Sequence, residues 1–160
     1  MKRLLIFALL CLATGAWGAD TGWLKGTACG GSGSNCDSVY SADGRSALID
    51  ASNGGNIWFD HASPSIPAGA TIDSFYARSL DSVTSGNDYG YLTLHIGGTE
   101  MGYASEYFTA SAWTNHEYKI GGGYSWSLAE VNSNDFGLMF QCDGGGDPGD
   151  NIYIDQMQLK

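Results

Sequence analysis

Ser65-Ile66-Pro67-Ala68-Gly69-Ala70-Thr71-Ile72 decides how the chain is read. Pro64 and Pro67 fix φ and remove two backbone donors, and Gly69 lets the chain turn before an extended run that reaches Val83. Ladder pairing must stop at these prolines and restart on a new line, which is how one strand of a sandwich hands over to the next. Beyond the turn, Phe75, Ala77 and Ser79 alternate with Tyr76, Arg78 and Leu80. Ile72 falls out of phase with Phe75, which a bulge or the turn itself absorbs.

The same period of two recurs along the chain. Leu92, Leu94 and Ile96 alternate with Tyr91, Thr93 and His95, and Phe136, Leu138, Phe140 and Cys142 form a second clean apolar face. Ser46 to Asp50, Asn56 to Asp60, Met101 to Thr109 and Glu117 to Ile120 supply further strands. In the last strand Ile152 and Ile154 give way to Met157 and Leu159, so one extra residue must bulge. The one helical turn expected is 127–132, where Ser127 and Glu130 have capping-box spacing. Glycine occupies 24 of 160 positions, spread between strands as punctuation. The reading is all-β: an antiparallel, jelly-roll-like β-sandwich of eight or nine strands.

Residues 1–19 have the three-part layout of an export signal: Lys2-Arg3, an apolar run from Leu4 to Leu12, and Ala16-Trp17-Gly18-Ala19. That run is too short to span a bilayer, so the expectation is a protein secreted or held at the cell surface, with no membrane insertion once the signal is removed. What remains suits one domain, read as a loose N-terminal arm with room for one edge strand over 20–43 and the sandwich over 44–160. The formal charge of −10 becomes more negative without Lys2 and Arg3. It argues against nucleic acid and anionic lipid as partners, and suits a cation or a neutral ligand.

Cys29 and Cys36 enclose a flexible Gly-Gly-Ser-Gly-Ser-Asn loop and are expected to form a disulfide contributing about 2 kcal/mol. Cys142 is left over and fits a buried strand position, though the sequence leaves its pairing open.

The order Ser41-Ala42-Asp43-Gly44-Arg45-Ser46-Ala47, Ile66 to Ile72, Trp126 to Asn132 leading to Phe136-Gly137-Leu138, and Tyr153-Ile154-Asp155-Gln156-Met157 resembles a broad group of exported bacterial and phage-associated jelly-roll domains. The resemblance covers residue 38 to the C-terminus. It implies a sandwich that serves as a surface or binding module.

Between Tyr103 and Trp126 lie seven aromatic residues: Tyr103, Tyr107, Phe108, Trp113, Tyr118, Tyr124 and Trp126. Such rings stack on the apolar faces of sugars, so Tyr103, Trp113 and Tyr124, with His116 as a hydrogen-bonding neighbour, are the expected ligand-binding residues; Trp126 is expected in the core. Asp143, Asp147 and Asp150 sit in a glycine-rich loop whose oxygens suit calcium, although the spacing is not that of an EF-hand. His61, His95 and His116 come from separate segments with no metal-ligand spacing, and His95 is expected as a solvated cross-strand neighbour. No nucleophile elbow is present. Glu100, Glu106, Glu117 and Glu130 could be nominated for glycoside cleavage, but sequence cannot supply their separation. The functional expectation is a secreted, non-catalytic binding or adhesive module for a glycan or other cell-surface ligand. Its alternative is a self-assembling homo-oligomer of an extracellular filament or coat, and a small glycan-active hydrolase is a third.

Overall fold

The structure, a computed structural model, describes residues 22–40, 42–50, 52–61, 64–83, 87–109, 112–142 and 151–160, with backbone alone over 87–89 and 103–109. The export signal expected over 1–19 and the acidic loop carrying Asp143, Asp147 and Asp150 lie outside the described residues.

The chain forms β1 (Gly26–Gly31), β2 (Ala47–Asp50), β3 (Gly55–His61), β4 (Phe75–Val83), β5 (Asn87–Ile96), β6 (Thr99–Thr109), β7 (Thr114–Ile120), the short helix α1 (Leu128–Val131), β8 (Phe136–Cys142) and β9 (Asn151–Leu159). A five-stranded sheet in the order β1-β3-β8-β5-β6 faces a four-stranded sheet in the order β2-β9-β4-β7, all antiparallel. This is a jelly-roll β-sandwich of nine strands. The alternation read from sequence supplies its core: Ile57 and Phe59 from β3, Leu92 and Leu94 from β5, and Leu138 and Phe140 from β8 pack on Phe75, Ala77, Ile152, Ile154 and Met157. Each such large side chain removed from water contributes roughly 1.5–3 kcal/mol.

β9 carries the expected bulge. Leu80 of β4 pairs with Gln156 and Asp81 with Ile154, so Asp155 is the extra residue. The shift lets Ile152, Ile154, Met157 and Leu159 all point inward. The Asp155 carboxylate, almost fully buried, accepts the backbone N–H groups of Asp43 and Gly44 and so holds the loop ahead of β2.

The N-terminal arm supplies one edge strand of the larger sheet, as its reading allowed, and the rest of it packs on the sandwich. β1 lies along β3, Leu24 exchanges backbone hydrogen bonds with Leu159, and a 3₁₀ turn over Cys36–Val39 buries Val39 completely. The disulfide Cys29–Cys36 forms as expected and joins that turn to β1. Cys142 is buried, with the Gly55 N–H 3.2 Å from its sulfur.

On the solvent side of the five-stranded sheet the expectation for His95 is overturned: the ring is fully buried. Gly137, its cross-strand neighbour, has no side chain, so His95 lies over it and Nε2 reaches Phe59 O at 3.1 Å. Gly98 N–H donates to Nδ1 at 3.2 Å, which makes Nε2 the protonated nitrogen of the neutral ring. Trp58 covers it, ring centroids 5.4 Å apart.

The proline-flanked lead-in is held by a side chain. Asn132, the last residue of the helical turn, accepts Ile66 N–H at 2.8 Å and donates to Ile66 O at 2.9 Å, standing in for a strand partner where Pro64 and Pro67 allow no ladder. Asn132→Ala should therefore cost about 1–3 kcal/mol, seen as a lower urea midpoint at unchanged slope. A midpoint matching the parent protein would show that the clamp does not stabilise the fold.

Candidate functional site

Pairing of β4 with β7 places the end of the lead-in beside the loop that follows β7. Phe75 is the register partner of Ile120, so Ile72 to Ser74 meet Gly121 to Trp126. Between them opens a cleft of about 650 Å³ lined by Ile72, Asp73, Ser74, Phe75, Lys119, Ile120 and the run from Gly121 to Trp126.

Two rings form its wall. Trp126 is half-buried, its centroid 5.3 Å from Phe75 and 5.4 Å from Phe136, and its indole N–H donates to Gly121 O at 3.2 Å. Tyr124, 37% exposed, meets Trp126 edge-on at 4.6 Å. The Tyr124 hydroxyl donates to Glu130 Oε1 at 2.7 Å, while Glu130 Oε2 accepts Ser127 N–H and Oγ–H, completing the capping box of α1. The bond to Glu130 holds the Tyr124 phenol above its ordinary pKa, and the bonds from Tyr124 and then Ser127 hold the Glu130 carboxyl below its own. Both rings are thus fixed with their polar edges turned into the protein.

Of the ligand-binding residues expected from sequence, Tyr124, Trp113 and His116 lie apart. Tyr124 lies on the cleft. Trp113, 52% exposed, precedes β7 while Tyr124 follows it, so a seven-residue strand holds them on the order of 20 Å apart. His116 points toward the interior from the middle of β7: its Nε2 is 3.4 Å from Oδ1 of buried Asp81, which also accepts the Ser79 hydroxyl, and its ring stacks on Tyr118 at 5.7 Å. Tyr103 is the register partner of Thr93 on β6, in the other sheet, and its side chain is outside the described residues. Sequence reasoning missed Asp73, Lys119 and the cleft role of Trp126. The triple glycine 121–123 ahead of a capping box was the one local signal that a loop stands there, but its opposite wall comes from residues fifty positions earlier.

The cleft lining contributes one carboxylate, Asp73. Among the described residues the carboxyl raised above its usual range is Asp60 on β3, by burial first and by Asp135 against the lowering effect of His95; it is not part of that lining. Among the described residues no three His, Cys, Asp or Glu side chains gather as metal ligands, and no helix is long and apolar enough to cross a membrane.

No family model and no curated relative matches the chain by sequence. Similar solved structures include an arabinose-bound GH51 α-L-arabinofuranosidase, at TM-score 0.53 and 16% identity over 86% of this chain. The chain spans only 22% of that enzyme's length. They also include TmCBM61, a carbohydrate-binding module in complex with β-1,4-galactotriose, at TM-score 0.51 and 13% identity over 85% of this chain and 90% of that one. At these identities the likeness is one of fold, the jelly-roll sandwich.

Proposed function

We propose that the protein is an exported, non-catalytic carbohydrate-binding module that takes a glycan in the cleft between the β4 lead-in and the loop after β7. The observation that carries this reading is the Tyr124–Trp126 wall. Two rings are immobilised by hydrogen bonds at their polar edges, so their apolar surfaces stand ready for the C–H face of a sugar with little ordering cost on binding. The fold likeness to a module complexed with a galactose oligosaccharide supports it.

Affinity electrophoresis and calorimetry against β-1,4-galactan, arabinan and xylan test it. Tyr124→Ala should weaken binding about tenfold, the loss of one stacking contact of roughly 1.5 kcal/mol. Gly122→Trp should abolish it: a Cβ there meets nothing within 4 Å and the backbone is not left-handed, so the indole fills the cleft without strain. Trp113→Ala, at the far end of β7, should leave affinity unchanged. Failure of the unmutated protein to bind any of the three polymers, or equal binding by the Gly122→Trp variant, would remove the reading.

A further inference from the structure

We propose that Asp73 and Lys119 act together as the specificity-determining pair of this cleft, and that they select an uncharged sugar presenting two adjacent hydroxyls. The proposal rests on the cleft being the carbohydrate site and adds which sugars it accepts.

The aromatic wall offers a ligand no uncommitted hydrogen-bond donor. The Tyr124 hydroxyl is committed to Glu130, the Trp126 N–H to Gly121 O, and the Glu130 carboxylate to three donors. Polar recognition therefore falls to the rest of the lining, where the charged groups are Asp73 and Lys119. Both are exposed, and neither forms an ion pair with a described residue. Their chemistry is complementary: a carboxylate accepts only and an ammonium donates only. A vicinal diol supplies one hydroxyl as donor to Asp73 and the next as acceptor from Lys119, both bonds charge-assisted. Stacked on Tyr124, a pyranose directs its equatorial hydroxyls outward past the edge of the ring.

The same pair excludes charge of either sign. A uronate or sulfate drawn to Lys119 would enter a cleft that also carries Asp73, on a protein whose formal charge is −10. An amino sugar drawn to Asp73 would bring its ammonium to Lys119. An uncharged sugar meets neither penalty, and its binding should vary little with salt.

The test is calorimetry of the full chain with β-1,4-galactan and xylan as neutral polymers, and polygalacturonate and chitosan as charged ones. Neutral polymer should bind at least tenfold tighter than either charged one. Asp73→Asn and Lys119→Met, exposed and close in shape to the originals, should each weaken neutral binding about tenfold with unchanged thermal melts. Asp73→Asn should narrow the gap to polygalacturonate, and Lys119→Met the gap to chitosan. Equal binding of charged and neutral polymer, or variants within twofold of the parent while Tyr124→Ala loses affinity, would overturn the assignment and leave the cleft reading standing. If no polymer binds the unmutated protein, both fall.

Discussion

Gly137→Ala should destabilise the protein by about 3 kcal/mol or more, lowering Tm by roughly 10 °C. A Cβ at this position would stand 2.7 Å from His95 Nε2 and closer still to Phe59 O. The obstacle is backbone on β3 as well as a ring held at both nitrogens, so neither neighbour can swing aside. Relief requires β3 and β8 to separate where Asp60 pairs with Gly137, in the middle of the larger sheet. Gly122→Ala, a glycine in open space, is the matched control and should melt within a degree or two of the parent. Circular dichroism melts of the two variants settle the matter, and equal Tm values would show that the contact is soft.

The second large effect is in acid. His61 ends β3 inside the core, fully buried between Phe59 and Phe136, and neither ring nitrogen has a hydrogen-bond partner among the described residues. Burial pushes its pKa down to about 4, while the unfolded chain titrates near 6.5. Between these values the unfolded state binds the extra proton. Stability is thus complete above pH 6.5 and falls as pH drops toward 4, by about 3 kcal/mol over the whole interval. His95, also lowered by burial, acts in the same direction; Asp60, raised, opposes it at the acid end. His61→Phe keeps the packing volume and removes the proton site. Urea melts from pH 7.5 to 4 should show a shallower loss for this variant, and an identical pH slope would exclude His61 as the source.

Most of the sandwich was legible because burial on one face of a strand writes itself as a period of two. β8 appears almost residue for residue and β5 does so from Gly90 onward, and the out-of-phase isoleucines and methionine of β9 announced the bulge at Asp155. Where β1 lies within the arm was illegible for a physical reason. In Gly-Thr-Ala-Cys-Gly-Gly no apolar face exists, since Gly30 lies beneath the Trp58 indole, where a Cβ would overlap the ring. The face of His95 was read correctly and its burial was not. Depth depends on Trp58 and on the missing side chain of Gly137, neither of which is a neighbour in sequence. The cleft was half legible: Tyr124 stood out as an aromatic on a glycine-rich loop, but Asp73 joins it only through the pairing of β4 with β7. Composition groups aromatics that strands then carry apart, as β7 does for Trp113 and Tyr124.

The bulge at Asp155 also settles how β9 can align during folding. A slide of one position would drive Tyr153 and Gln156 into the oily interior, and a slide of two would carry the kink past Leu80 and Asp81 and take the carboxylate from the amides of Asp43 and Gly44. Misaligned docking of this C-terminal segment is thereby penalised twice over. The chain gains a safeguard against off-register pairing of β9 at the cost of one residue.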